Sequence, residues 1–230
     1  MDAWTTNSVQ TADRVSAFLW KVYGWMAVGL GLTAMVAFAV AGSPELLRVL
    51  VGNRLVFFAL VIAELGLVFY LSARADRLAP GTAAGLFAIY SALNGVTLSA
   101  ILLVYTGESV TMTFVVTAGM FGALALFGST TKRSLAGAGQ FFMMGLVGLI
   151  LASIIGMFWH NDALQFLISV VGVIVFTGLT AWDAQRLKEM ALALPAGQVG
   201  AYAVVGALSL YLDFINLFLM LLRFTGSRRD

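Results

Sequence analysis

Apolar stretches long enough to cross a lipid bilayer occupy most of this sequence. An α-helix rises about 1.5 Å per residue, so about 20 apolar residues span the hydrocarbon core. The chain has 230 residues, and it contains seven such stretches, at 20–41, 55–71, 83–104, 110–127, 141–159, 163–182 and 199–224. The sequence therefore predicts an all-α integral membrane protein, built as a bundle of seven transmembrane helices.

Composition supports one membrane domain over residues 1–230. Hydrophobic residues make up 61% of the chain, charged residues only 10%, and the mean hydropathy is +0.97. Such values are typical of membrane proteins. The gaps between the apolar stretches are short and contain no Pro- or Ser-rich linker. We therefore expect no separate soluble domain.

Basic residues cluster at the ends of the apolar stretches, which is a signal of topology and not of nucleic-acid binding. No nucleic-acid partner is expected. Eight basic residues fall on the side of the N-terminus and five on the opposite side. The positive-inside rule then predicts a multi-pass protein with a cytoplasmic N-terminus and an external C-terminus. The first group is Arg14, Lys21, Arg74, Arg77, Lys132, Arg133, Arg186 and Lys188, and the second is Arg48, Arg54, Arg223, Arg228 and Arg229.

Three acidic residues lie within or at the edge of apolar stretches. Asp213 lies deep in the last stretch, Glu64 lies near the middle of the second, and Asp183 lies at the cytoplasmic end of the sixth. A charged side chain at the centre of a bilayer costs roughly 2.5–3.5 kcal/mol on insertion scales, so such residues are candidates for function. Arg74 is the nearest plausible cation.

Simpler structural roles are open for the two aspartates. Asp183 could form a local ion pair with Arg186, three residues later. Asp213 could be hydrogen-bonded to Ser209 or Asn216, which share its helical face. Neither pattern would require a functional site.

Glu64 and Arg74 also have simpler interpretations. Glu64 could be a neutral acid that is hydrogen-bonded to a neighbouring helix. Arg74 and Arg77, at a helix end, could be topology anchors. The residues alone leave these alternatives open.

Two aspartates that met inside the membrane would form a proton sensor. Two carboxylates within hydrogen-bonding distance cannot both ionise cheaply, so they share a proton. The ionised pair would repel, attract a cation such as Arg74, or offer oxygen ligands to calcium. However, helical arithmetic does not bring Asp183 level with Asp213, because they lie on different helices.

The last two apolar stretches resemble a known family. Residues 211–218 read Tyr-Leu-Asp-Phe-Ile-Asn-Leu-Phe and are followed by Leu-Leu-Arg at 221–223. This segment resembles the last-helix signature of the transmembrane Bax inhibitor motif family. The segment Trp-Asp-Ala-Gln at 182–185 resembles that family's aromatic-Asp-x-Gln pattern, and the helix count and chain length agree with it.

The resemblance implies a seven-helix bundle with a central last helix, in which Asp183 and Asp213 face each other. Bacterial members are associated with a pH-sensitive calcium leak across the cytoplasmic (inner) membrane. The two aspartates would then be the pH sensor and gate, and transient calcium ligands. Arg74 is the nearest match to the basic latch of the second helix, and Glu64 resembles an acid in that helix. Calcium ions, protons and the lipid bilayer are the implied partners.

Enzymatic classes fit the residues poorly. A serine protease would need a nucleophile and a buried histidine, but the single histidine, His160, is predicted in a short external loop. A retinal pump would need a lysine in the last helix, and 199–224 contains none. We expect no enzyme, no cofactor and no structural metal, since a cluster of metal ligands is missing and the chain has no cysteine.

Two other functions remain open. Some bacterial relatives are associated with modulation of a membrane-bound protease, and a modulator would act by protein–protein contact without needing Asp213. A proton-coupled cation exchanger would also need buried acids. Stoichiometric proton movement would distinguish the exchanger from a leak.

Overall fold

A computed structural model describes residues 3–159, 161–195 and 199–229 of the chain. The described residues form helices joined by short connections, and their helical state follows from the need to satisfy every backbone N–H and C=O inside a bilayer. The helices are α1 (Ala3–Ala41), α2 (Pro44–Leu46), which continues into a π-helical turn (Leu47–Val51), α3 (Arg54–Ala73), α4 (Pro80–Val104), α5 (Gly107–Thr130), α6 (Ala136–Phe158), α7 (Asp162–Ala193) and α8 (Val199–Thr225).

Seven of the described helices are long and apolar enough to cross a membrane, which confirms the predicted all-α membrane bundle. They are all the helices except α2. The last helix, α8, is the most enclosed, since 72% of its apolar window is buried, compared with 39% for α7. The apolar part of α8 is therefore in contact with other parts of the protein along most of its length.

Two of the helices extend well beyond their apolar stretches. The first was predicted from residue 20 but begins at Ala3, and the sixth stretch was predicted to end at 182 but α7 continues to Ala193. Hydropathy marks only the part of a helix that is soluble in hydrocarbon, whereas the helix continues wherever its backbone bonds can form. The placement of Asp183 at a helix end was therefore wrong, because it lies within α7.

Helix starts carry the expected capping side chains. Asn53 Oδ1 accepts hydrogen bonds from Leu55 N at 3.1 Å and Val56 N at 3.4 Å, at the start of α3. Asn161 Oδ1 likewise accepts from Ala163 N at 2.9 Å, at the start of α7. Such caps satisfy backbone donors that have no partner within the helix.

Residue contacts divide the chain into two units. The first comprises residues 1–104 and 188–211, so it contains α1 to α4 and the first half of α8. Within it, α1 packs closely on α4, because a Cβ atom at Gly95 would lie 2.6 Å from the Thr33 carbonyl oxygen. The glycine is what permits this approach of two backbones.

The second unit comprises residues 105–187 and 212–230. It contains α5, α6, most of α7 and the second half of α8. A Cβ atom at Gly172 in α7 would lie 2.7 Å from the Met220 side chain of α8, so these two helices are in direct contact. Its core joins α6, α7 and α8 through Leu149, Ile168, Val175, Phe176, Leu179, Leu217 and Met220. The prediction of a single domain over 1–230 stays a prediction.

Candidate functional site

Asp213 is a buried carboxyl group on α8. Its side chain is only 6% exposed. Within the described ranges, Asp213 Oδ2 is buried and has no hydrogen-bond partner. An unpaired buried oxygen of this kind is costly, since buried polar groups are nearly always hydrogen-bonded. Asp213 Oδ2 is therefore a costly feature of the fold and a candidate for function.

Asp183 of α7 lies close enough to Asp213 of α8 for the charge of one carboxyl group to act on the other. Leu179 of α7 and Leu217 of α8 belong to one buried cluster. The short connection between these two spanning helices makes them antiparallel. Asp183 lies one turn after Leu179, and Asp213 lies one turn before Leu217, so each aspartate is close along its helix to this cluster.

The segment of α7 around Asp183 is held firmly by neighbouring elements of the second unit. The Gln185 side chain accepts a hydrogen bond from Leu135 N at 2.7 Å and donates one to Arg133 O at 2.9 Å. In addition, a Cβ atom at Gly128 of α5 would collide with the backbone of Ala181. These contacts fix the rotation of α7 on both sides of Asp183.

Aromatic contacts fix the corresponding segment of α8. Phe214, next to Asp213, packs edge-on against Phe114 and Phe121 of α5, with ring centroids 5.3 Å and 5.6 Å away. Such pairs stabilise a packed arrangement beyond their buried area. Both aspartates therefore lie on helices whose orientation is set by adjacent side chains.

The local hydrogen bonds considered for Asp213 do not reach its buried Oδ2, whereas the charge of Arg186 does act on Asp183. The Arg186 guanidinium lies over the Trp182 ring, 5.6 Å from its centroid, and in the part of the chain that is described it forms no ion pair with Asp183. Asn216 Nδ2 donates to Leu212 O at 2.8 Å. Neither Asn216 nor Ser209 bonds to the unpartnered Asp213 Oδ2.

Arg74 lies at the C-terminal end of α3, as expected for a residue that follows the second apolar stretch. It is exposed, and its guanidinium lies over the Tyr70 ring, 5.5 Å from the centroid. Its role as a latch for the aspartates stays a prediction. The nearby Arg77 forms an exposed salt bridge of 3.6 Å with Asp76, a type that contributes little to stability.

Glu64 belongs to a second polar cluster, in the first unit. Its Oε1 accepts a hydrogen bond from the Thr97 hydroxyl at 3.0 Å, and its Oε2 accepts one from Asn94 Nδ2 at 3.3 Å. The expectation of a glutamate that is hydrogen-bonded to a neighbouring helix is thus met by α4. Sequence reasoning missed Asn94 and Thr97, although an asparagine inside an apolar stretch is itself a signal of a buried partner.

This polar cluster extends from Glu64 to two further helices. The Tyr211 hydroxyl of α8 donates to Asn94 Oδ1 at 3.0 Å, and the Thr33 hydroxyl of α1 lies 2.6 Å from the Tyr211 hydroxyl. The Tyr211 ring is fully buried and packs edge-on against Phe87 and Tyr90. Side chains from α1, α3, α4 and α8 therefore form one hydrogen-bonded chain.

The described residues contain no group of three or more His, Cys, Asp or Glu side chains that could hold a metal ion. His160, the residue considered for a hydrolase, lies outside the described residues. The aspartate pair alone supplies carboxylate oxygens, which suit a hard cation such as calcium. Two such ligands are fewer than a stable calcium site uses.

The seven apolar helices define a multi-pass α-helical membrane protein. More specifically, the chain belongs to the family described as "Inhibitor of apoptosis-promoting Bax1", which matches residues 15–230. The resemblance that was based on the last two helices is thereby confirmed over nearly the whole chain.

Bacterial relatives match over almost their full length. The inner membrane protein YbhL of Escherichia coli K12 is 49% identical over 224 residues, which cover 96% of each chain. An uncharacterized protein of Borreliella burgdorferi is 43% identical over 215 residues, 93% of each chain. An uncharacterized protein of Rickettsia prowazekii is 40% identical over 230 residues, covering 98% of this chain and 96% of the relative.

Proposed function

We propose that this protein is a pH-sensitive calcium leak channel, gated by protonation of the Asp183–Asp213 pair. The observation that carries the proposal is the buried, unpartnered Oδ2 of Asp213, with Asp183 as the charged group that acts on it. A membrane protein keeps such a costly arrangement when it serves a pathway or a switch.

The two protonation states of the pair would favour different packing of α7 and α8. When the pair holds a proton, one carboxyl donates a hydrogen bond to the other and the helices stay together. When both are ionised, like charges in a medium of low dielectric repel strongly, and a cation is needed between or beside them. The pair thus couples pH to opening.

Calcium is the cation that fits the chemistry of the ligands. Carboxylate oxygens prefer hard cations, and calcium accepts a flexible set of oxygen ligands. A site with only two carboxylates holds the ion weakly, which suits conduction because the ion must also leave. Asp183 and Asp213 are therefore proposed as transient calcium ligands, and Arg74 as the cation that latches the ionised pair when calcium is absent.

We place the protein in the cytoplasmic (inner) membrane of a bacterium. The support is the similarity to the Escherichia coli relative, which is named as an inner membrane protein. The excess of Lys and Arg on the side of the N-terminus supports a cytoplasmic N-terminus. Channel activity would then move calcium between the outside and the cytoplasm.

The proposal is tested by calcium flux into liposomes that contain the purified protein and an internal calcium dye, over a series of pH values. We expect a flux that depends on pH, and Asp183→Asn and Asp213→Asn should each remove most of that dependence. Asp162→Asn is the matched control, because Asp162 is an exposed aspartate in the first turn of the same helix as Asp183. Its pH profile should equal that of the wild type.

Two results would contradict a channel that is gated by the aspartate pair. One is a flux equal to that of empty liposomes at every pH. The other is a pH profile that neither aspartate substitution changes. In the first case, modulation of a membrane-bound protease becomes the leading function, and in the second the sensor lies elsewhere in the chain.

A further inference from the structure

The hydrogen-bonded chain at Glu64 has a direction that follows from the chemistry of its members. Asn94 presents Nδ2 to Glu64, and an amide nitrogen can only donate. Asn94 Oδ1 then faces Tyr211, and a carbonyl oxygen can only accept, so the phenol is the donor of this bond and can then accept from the Thr33 hydroxyl 2.6 Å away. The chain therefore runs from Tyr211 through Asn94 to the Glu64 carboxyl group.

Thr97 can direct its hydroxyl hydrogen to either of two oxygens. Its hydroxyl lies 3.0 Å from Glu64 Oε1 and 3.0 Å from the backbone carbonyl oxygen of Asn94. A hydroxyl has one hydrogen and therefore donates to one of these oxygens at a time, but it can also accept. With Glu64 ionised, Thr97 donates to Oε1. With a proton on Oε1, Glu64 donates to Thr97, whose own hydrogen turns to Asn94 O.

Both protonation states of Glu64 thus have a complete set of hydrogen bonds. The bond from Asn94 Nδ2 to Oε2 is present in each state, and only the Thr97 hydroxyl rotates. Most buried acids are satisfied in one state alone, since a donor fixed by the backbone suits only the carboxylate. An acid whose protonated and ionised forms are both hydrogen-bonded can exchange a proton without a change of the fold.

The charged groups around Glu64 also favour exchange of a proton at this residue. Among the described residues, the titratable groups on which its charge acts are the phenols of Tyr90 on α4 and Tyr211 on α8. No described cation forms an ion pair with Glu64. A proton, and not a basic side chain, is therefore the group available to neutralise its charge.

We propose that Glu64 is a proton-exchange site of the membrane domain, separate from the aspartate pair. Glu64 takes a proton from hydronium at Oε1, the Thr97 hydroxyl turns to Asn94 O, and release of the proton to water reverses both changes. No covalent bond other than the O–H bond forms or breaks. Tyr211 is a positioning residue, because its bond to Asn94 Oδ1 keeps Nδ2 directed at Glu64. The ligand is a proton, and the site does not depend on calcium conduction.

The test is infrared difference spectroscopy of the carbonyl stretch of protonated carboxylic acids over a pH series. The protein carries Asp183→Asn and Asp213→Asn throughout, so that the pair contributes no signal. Adding Glu64→Gln should remove one pH-dependent band. Gln is matched in shape to the neutral acid, so the variant should fold. Adding Glu108→Gln instead should leave that band, because Glu108 is an exposed acid in the first turn of α5.

Thr97 provides a second test in which Glu64 remains in place. Hydrogen bonds to a carboxylate are about twice as strong as those to a neutral acid, so loss of the hydroxyl costs the ionised form more. Thr97→Val should therefore raise the midpoint of the Glu64 band by about one pH unit, a tenfold change in proton affinity. Thr97→Ser, which keeps the hydroxyl, should restore the wild-type midpoint.

Two outcomes would overturn the proposal. The absence of any pH-dependent band that Glu64→Gln removes would show that Glu64 stays in one protonation state. A midpoint that is unchanged in Thr97→Val would show that the hydroxyl does not serve the two states. Because neither readout involves calcium, both are independent of success or failure in the liposome flux experiment.

Discussion

Gly128 of α5 lies directly against the backbone of Ala181 in α7, so closely that no side chain fits between them. The contact lies two residues before Asp183 on the same helix. The contact therefore sets the orientation of the α7 segment that carries the Asp183 carboxyl group. It can be tested with a substitution that adds a single methyl group.

Gly128→Ala should destabilise the protein. The new Cβ atom would collide with the Ala181 carbonyl group, and backbone cannot yield as a flexible side chain does. Overpacking of this kind costs about 1–3 kcal/mol. Thermal unfolding in detergent measures the loss. Gly122→Ala is the control, because a Cβ atom at Gly122 of the same helix meets nothing within 4 Å. Equal unfolding temperatures for the two variants would refute the close contact.

Gln185→Ala should also destabilise the protein, since it leaves Leu135 N and Arg133 O without their partner. Both hydrogen bonds are partly buried, and a typical hydrogen bond contributes about 0.5–1.5 kcal/mol to stability. Chemical unfolding in detergent measures the change. Gln140→Ala, at an exposed position of α6, should have almost no effect. A loss no larger than that of the control would mean that Gln185 does not hold α7.

Asp213→Leu should stabilise the fold while abolishing the proposed pH response. The wild-type carboxyl leaves Oδ2 buried and unpartnered, and removal of such a group recovers about 1–3 kcal/mol. The gain should be larger in alkaline than in acidic buffer, because the ionised form is the more costly to bury. Unfolding at several pH values tests this. A less stable variant at every pH would show that Asp213 has a structural role.

Tyr211→Phe should cost about 1–3 kcal/mol, because Asn94 Oδ1 then loses the donor on which its orientation depends. Tyr90→Phe is a closely matched control, since Tyr90 is buried beside the Tyr211 ring but its hydroxyl is not part of the chain to Glu64. Thermal unfolding compares the two. If both substitutions cost the same, the Tyr211 hydroxyl has no special role.

The sequence was sufficient for the fold class and the seven spanning helices, because hydrocarbon solubility depends on composition alone. It was insufficient for the ends of α1 and α7, where polar turns continue the helix to Ala3 and to Ala193. It also gave no indication of α2, which begins at Pro44 after the Ser43 cap. Short helices outside the membrane carry no hydropathy signal.

The depth of Asp183 relative to Asp213 could not be predicted from the sequence. It depends on which side chains of α7 meet which side chains of α8, as where Gly172 approaches Met220, and a sequence does not show such contacts. The pairing was therefore expected only from resemblance. The partners of Glu64 were missed for the same reason, since Asn94 and Tyr211 are brought together only by the packing of α4 and α8 in the first unit.

The central claim is that Asp183 and Asp213 act as one proton-sharing unit. The most direct test is a double-mutant cycle of calcium flux against pH in liposomes, with Asp183→Asn, Asp213→Asn and both together. Groups that act as a unit have effects that do not add. We predict that the double variant has the same pH profile as either single variant. Additive effects of the two substitutions, or a wild type without flux at any pH, would contradict the account.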